Sequence, residues 1–270
     1  MQVLVKYMVH YPFYELIFFR AITSFVISAF SLKRLKISVW GNNRKLLILR
    51  GLFGVASLSC FFYALQNAPL ASVITIVNIK PFLILVVASI LLKEKLKPIQ
   101  LLFFIISFVG IVMVKGFDSR IEIFTLTIIL GAALFASIAH TIVRKLKDSD
   151  HPLVIIFYFT FVTLPIIGPF AFSDWVMPNK LVEWLILLSI GLVTHFAQYF
   201  LTKAYQLDNV ANISIFYYLG IVFAVGFGHL LFDEKYTGLT LVGMSVIIGG
   251  VLLNLWYVTL SEKKTKNSSS

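Results

Sequence analysis

The sequence predicts an all-α polytopic membrane protein made of two inverted five-helix repeats, with the first helix missing and nine spans present. Three observations lead there. Hydrophobic residues make up 59% of the chain and charged residues 13%, with a mean hydropathy of +0.93, whereas soluble domains carry about 45–50% and about 25%. Apolar stretches long enough for a hydrocarbon core of ~30 Å recur along the whole chain. A set of residues also repeats at a spacing of 140 with no gap.

In chain order the apolar segments run at about 13–32, 46–66, 71–92, 99–115, 124–143, 152–172, 181–206, 211–232 and 238–258. The links between them are short and carry breakers or charges, and none has room for a soluble domain. The segment at 71–92 stands apart because Asn78, Lys80 and Pro81 sit at its middle. A charge at that depth costs roughly 2.5 to 3.5 kcal/mol on insertion scales, so it marks a functional hypothesis. Pro81, Pro165 and Pro169 are expected to interrupt helices, and Gly220, Ala224 and Gly228 to offer a smooth stripe for close helix contact. The single cysteine, Cys60, lies in an apolar run, so one chain builds neither a disulfide framework nor a thiolate metal site.

The 140-residue spacing pairs Pro12 with Pro152, Phe30 with Phe170, Gly51 with Gly191, Ala64 and Gln66 with Ala204 and Gln206, Ala71 with Ala211, Glu94 and Lys95 with Glu234 and Lys235, and Gly110 with Gly250. Coincidence among Pro, Gln, Glu, Lys and Gly carries weight in so apolar a chain. The span at 124–143 has no earlier partner, which implies a first repeat at 1–118 lacking its opening helix, a second at 119–258 and a tail at 259–270. Five spans is an odd number, so the second repeat is expected to lie inverted. Inverted repeats around a midplane site are a recurrent plan among secondary transporters.

Basic residues test the orientation. With the 32–46 loop in the cytoplasm, sixteen lysines and arginines fall inside, Arg44, Lys45 and Arg50 among them, against five outside: Lys6, Lys115, Arg120, Lys180 and Lys235. Arg20 and Lys80 lie within spans. That asymmetry follows the positive-inside rule and puts the C-terminus in the cytoplasm. The net charge of +11 is thereby explained by orientation, and nucleic acid is not an expected partner.

Several motifs then carry a family likeness: Glu15-Leu-Ile-Phe-Phe-Arg20, Leu49-Arg50-Gly51, Tyr63-Ala-Leu-Gln-Asn-Ala-Pro69-Leu-Ala71, Pro81 after a polar turn, Leu92-Lys93-Glu94, Gly110-Ile-Val, and the second close at Phe232-Asp-Glu234. In their order they resemble the EamA-type branch of the drug/metabolite transporter superfamily, over the whole chain. The resemblance implies ten spans in two inverted halves, cytoplasmic ends, a bacterial inner-membrane location and transport of small metabolites through a central cavity. The chain departs from that pattern in its missing first span and in Lys80, where an uncharged residue is expected.

The candidate substrate-binding residues are Arg20, Asn78, Lys80, His195, Gln198, Tyr199, Tyr217 and Tyr218. Arg20 and Lys80 have no obvious mid-span carboxylate partner, which leaves two readings open: structural cations bonded to carbonyls such as that of Val77 freed by Pro81, or a net-positive cavity for an anionic or carboxylate-bearing metabolite such as an amino acid. Proton coupling through Lys80 ranks lower, since the spans lack a relay of acids and histidines. Adjacent Tyr217 and Tyr218 point about 100° apart, so one is expected to line the pathway. His140, His195 and His229 lie on three spans without ligand spacing, so no catalytic residue, metal or cofactor is expected. The residues specify no coupling ion or exchange substrate. The alternatives are a membrane-embedded enzyme and a non-transporting membrane subunit.

Overall fold

The computed structural model describes residues 1–91, 98–207 and 210–267; among these, the side chains of 91, 117, 210–218, 259 and 261–267 are outside the description. All described regular elements are helices. A short α1 (Gln2–Tyr7) precedes α2 (Phe13–Arg34), α3 (Arg44–Asn67), α4 (Leu70–Val77), α5 (Lys80–Leu91), α6 (Pro98–Phe117), α7 (Ile123–Lys145), α8 (Pro152–Ser173), α9 (Leu181–Leu207), α10 (Val210–Phe232) and α11 (Gly238–Asn267). Among the described residues, eight helices are long and apolar enough to cross a membrane, with a shorter apolar stretch at Leu219–Phe232.

Local chemistry sets the helix ends. Asn43 Oδ1 accepts from Leu46 N at 3.4 Å and opens α3. His151 Nδ1 accepts from Leu153 N at 3.2 Å, with Pro152 in the first turn where its missing N–H costs nothing. Glu183 reaches back to the N–H groups of Asn179 and Lys180 at 2.9 and 3.2 Å, and Thr237 Oγ1 takes Thr240 N at 3.2 Å. At the end of α2, Lys36 adopts φ 55° while Ile37 N bonds Leu32 O and Lys36 N bonds Lys33 O. That is the paired-carbonyl stop of a left-handed C-cap.

The chain forms two compact units, Met1–Gln66 with Ile138–Leu207 and Asn67–Ser137 with Asp208–Ser270. In the first, α2 packs on α8 and α9. Gly191 makes the α2–α9 contact close, since a Cβ there would meet Thr23 Oγ1 at 2.7 Å, and Gly51 does the same for α3 on α8, where a Cβ would meet Val162 at 2.9 Å. The loop before α3 is tied to the loop before α8 by Asp150, which accepts from Asn42 N at 2.6 Å and Asn43 N at 3.3 Å. Gly41 takes φ +60° there, with Asp150 Oδ1 2.7 Å from where a Cβ would stand, so both conformation and space demand glycine.

In the second unit α6 and α11 cross at backbone contact. A Cβ on Gly110 would meet Gly243 O at 2.8 Å and Ile247 at 2.7 Å, and one on Gly250 would meet Phe103 O at 3.0 Å and Ser107 Oγ. Shifting either set of contacts by 140 residues gives the other.

The same shift relates bonds in the first unit. Gln66 Nε2 donates to Tyr11 O at 2.8 Å and Gln206 Nε2 to Asp150 O at 2.9 Å, the donors 140 residues apart and the acceptors 139, in each case a carbonyl just before the start of a helix that opens at proline. Thr23 and Thr163 donate to Phe19 O and Phe159 O at 2.8 and 2.6 Å.

Three expectations need correction. Arg50 does not belong with the cytoplasmic charges: α3 starts at Arg44, so Arg50 lies about 9 Å along the helix, and it is 2% exposed. Fifteen rather than sixteen basic residues then remain in the predicted cytoplasmic set. Pro165 and Pro169 do not interrupt their span, since both lie inside a continuous α8. The α10 stripe is packed only in part: Ala224 and Gly228 are buried, with Glu234 and Tyr236 against the Cβ position of Gly228, but a Cβ on Gly220 would meet nothing within 4 Å. Glu15, in the first turn of α2, is fully buried.

Candidate functional site

The Asn78–Lys80 segment is a break in a membrane span. Helix α4 stops at Val77, Asn78 and Ile79 form a turn, and α5 starts at Lys80 with Pro81 in its first turn. Proline explains the start, because it has no N–H to return to the carbonyl one turn back. The chain closes the break with tight bonds: Asn78 N to Ile74 O at 3.1 Å and to Thr75 O at 3.2 Å, and Ile79 N to Ile76 O at 3.2 Å. All of Leu70–Val77 is buried, Asn78 is 4% exposed, and Lys80 is half-buried. Ser137 Oγ of α7 donates to Lys80 O at 3.2 Å, and the buried Thr75 hydroxyl has no hydrogen-bond partner. Ile79 O accepts from Phe82 N at 3.0 Å and from Leu83 N at 3.3 Å, so the new turn is closed on its own backbone. The break thus places a half-buried lysine at the positive end of the α5 dipole.

In the first unit, Arg20 on α2 is 5% exposed. Ser24, one turn further along the same face, shares a 2.9 Å hydrogen bond with His195 Nδ1 of α9, and Ser24 O accepts from Ser28 Oγ. Arg20 and His195 thus belong to neighbouring turns of one buried polar strip. Gln198 and Tyr199 are half-buried on the next turn of α9; Gln198 Nε2 donates to Thr202 Oγ1 at 3.4 Å, and Tyr199 meets the edge of Phe200. Arg20, His195, Gln198 and Tyr199 fall in one compact unit and Asn78 and Lys80 in the other. Tyr217 and Tyr218 lie where the side chains are outside the description, as does all of Glu94.

Sequence reasoning missed Arg50. Its guanidinium carbon sits 4.2 Å from the centroid of the Phe159 ring, and that of Arg20 sits 5.2 Å from the same centroid. The available signal was its place after Arg44 and Lys45, one turn inside a segment drawn from residue 46.

The histidines are dispersed. His140 stacks on Tyr205 with centroids 4.6 Å apart, His195 bonds Ser24, and His229 Nδ1 lies 3.4 Å from Glu234 O.

A membrane-embedded helical bundle with a broken span and buried cations fits the architecture of a transporter class. The chain belongs to the EamA-like transporter family, whose model matches residues 1–116 and 123–256. It is 30% identical to the pseudopaline exporter CntI of Pseudomonas aeruginosa over 94% of this chain and 87% of that protein. It is 26% identical to a riboflavin transporter of Brucella anthropi over 76% of this chain and 74% of that one, and 26% identical to an S-adenosylmethionine uptake transporter of Rickettsia prowazekii over 82% and 74%. A solved crystal structure with 19% identity superposes with a TM-score of 0.64 over 89% of this chain and 86% of its own, which speaks for the fold. The protein is an integral membrane protein of a transporter family.

Proposed function

We propose that the protein is a secondary transporter that moves a small anionic or carboxylate-bearing metabolite, such as an amino acid or related compound, by alternating access. The repeats at 1–118 and 119–258 would rock around a midplane site, with the tail at 259–270 in the cytoplasm of a bacterial cell. The observation that carries this reading is the break at Asn78–Ile79, which sets Lys80 and the first turn of α5 inside the bundle. A continuous apolar helix would have satisfied its backbone more cheaply, and irregular backbone at membrane depth is tolerated where it is buried or lines a pathway. The contacts that recur under the 140-residue shift support the two-repeat plan. Relatives are named for export and for uptake, so direction is left to the assay, which measures both.

Reconstituted protein loaded with a labelled carboxylate panel tests the proposal by counterflow. Exchange of at least one anionic or zwitterionic solute is expected, and Lys80→Met should lower it by about tenfold, corresponding to roughly 1.4 kcal/mol of lost interaction. Equal exchange by Lys80→Met would remove Lys80 from the site. Exchange restricted to cations or neutral solutes would overturn the anionic substrate class.

A further inference from the structure

We infer that Arg20, Arg50 and Phe159 form a carboxylate-binding seat inside the first compact unit. This deepens the transport reading by naming where the substrate's negative group would bind, and it uses residues separate from Lys80. Arg20 comes from α2, Arg50 from α3 and Phe159 from α8, each about 9 to 11 Å along its helix. The two guanidinium carbons lie 5.2 and 4.2 Å from one ring centroid. Two like charges therefore converge on a single aromatic ring, at exposures of 5% and 2%.

The ring cannot satisfy them. A cation–π contact contributes about 0.5 to 2 kcal/mol, whereas each guanidinium carries five N–H donors that lose water on burial. Arg20 Nε, Arg50 Nε and Arg50 Nη1 are all buried without a hydrogen-bond partner. Neither arginine has a described carboxylate at ion-pair distance. Glu15, on the same helix as Arg20, turns its Oε2 to Val176 N at 3.0 Å instead.

A glycine admits the close contact of the Arg50 guanidinium and the ring. A Cβ on Gly54 would stand 2.7 Å from both Arg50 Nη1 and a Phe159 ring carbon, so glycine at that position lets guanidinium and ring share one level. Three unpartnered donors on two converging guanidiniums call for an anionic acceptor, and a carboxylate offers two oxygens that accept N–H bonds from arginine. An ammonium on the ligand would be repelled by the pair, while a hydroxyl or imidazole acceptor is at hand one turn along α2 in the Ser24–His195 bond.

A buried, like-charged pair held for a ligand costs stability, which separates this role from a structural one. The experiment is a thermal-shift titration of the purified full chain in detergent with acetate, succinate and glutamate, using succinamide as the uncharged control. Wild type should gain melting temperature with at least one of the carboxylates and none with succinamide. Arg50→Met should abolish the gain while leaving the ligand-free melting temperature equal or higher. Arg50→Lys, which keeps the charge but not the fork, should fold even if the methionine variant does not, and should weaken apparent affinity about tenfold or more.

Carboxylate shifts in the Arg50→Lys or Arg50→Met protein equal to wild type would overturn the seat, as would no shift of wild type by any of the three acids. A response confined to phosphatidylglycerol in nanodiscs would overturn it too, by assigning the donors to lipid. Counterflow separates the two proposals: transport of neutral solutes unaffected by Arg50→Lys removes the seat and spares the transporter, while Arg50-dependent binding without exchange of any solute does the reverse.

Discussion

Two clusters of buried charge, one in each compact unit, are bonded in opposite ways. In the first, Arg20 and Arg50 share one phenyl ring and leave three N–H groups without partners. In the second, a polar cluster where α4, α6 and α10 meet their loops is closely paired. Glu234, 6% exposed, accepts from Leu70 N with both oxygens at 2.9 and 3.0 Å and from the Tyr236 hydroxyl. Asp118 takes two bonds from Arg120 at 2.8 and 3.0 Å and one from Ser72 at 3.3 Å, and Arg120 also reaches Lys235 O at 2.8 Å and lies over the Tyr236 ring. The contrast teaches where stability and function divide. A saturated network fixes helix ends, whereas an unsaturated pair holds donors ready for something else.

The sharpest way to break that comparison is to unsaturate the second unit. Glu234→Ala removes the acceptor of a buried backbone N–H at the start of α4 and the partner of Tyr236, so it should destabilise the protein by about 3 kcal/mol. Chemical or thermal unfolding in detergent reads this directly. Glu234→Gln keeps one carbonyl oxygen for Leu70 N and should lose less than half as much. The opposite sign is expected for Arg50→Met in the first unit. If both substitutions destabilised alike, the arginine pair would be structural cement and the contrast would collapse.

Much of this architecture is legible in the sequence, and the failures have physical reasons. Span edges follow from hydropathy, because a bilayer enforces long apolar helices. The break at Asn78–Ile79 is announced by Pro81 and two polar neighbours. Arg50 counts with the cytoplasmic charges because it follows Arg44 and Lys45 so closely; the Asn43 cap shows that the helix begins before all three. Gln66 and Gln206 stand out as a repeat pair, yet their task of holding the carbonyls of Tyr11 and Asp150 depends on chain segments more than fifty residues away. The Gly220–Gly228 stripe is packed at Ala224 and Gly228 and open at Gly220, because small residues at helical spacing permit a close neighbour without supplying one. Of the anion seat, Arg20 was visible as a mid-span charge. The ring that gathers both arginines was one phenylalanine among 26.

The crossing of α6 and α11 offers a second, smaller test. Gly110→Ala would push a methyl against Gly243 O at 2.8 Å and Ile247 at 2.7 Å, backbone and branched side chain that yield little. A loss of about 1 to 3 kcal/mol is expected. Gly249→Ala, next to Gly250 on the same helix but with nothing within 4 Å of its Cβ position, should be neutral or slightly stabilising, since alanine is the better helix former. Equal effects at the two positions would show that helix propensity rather than the crossing decides the outcome.

The smallest effect concerns two tyrosines outside the spans, one in each unit. Tyr11 donates to Glu183 Oε2 at 3.1 Å, and burial with that neighbouring carboxylate raises its pKa to about 12. Tyr236 is raised further, by burial first and then by its bond to Glu234. Both folded values exceed the ordinary tyrosine value near 10. Each hydroxyl therefore contributes stability that is fully present below about pH 10, where the unfolded chain also keeps its proton, and that is lost as pH rises through the folded value. At neutral pH Tyr236→Phe should cost about 1 kcal/mol for the lost hydrogen bond, while retaining a ring under Arg120. Above about pH 10 the gap between mutant and wild type should shrink, because only the wild-type unfolded state gains by releasing a proton. Tyr11→Phe should behave the same way over a narrower range. Melting curves from pH 7 to 11 distinguish the two; parallel wild-type and mutant profiles would mean that Tyr236 titrates in the folded protein as it does in the unfolded chain, and that the polar cluster of the second unit is less closed than its bonds imply.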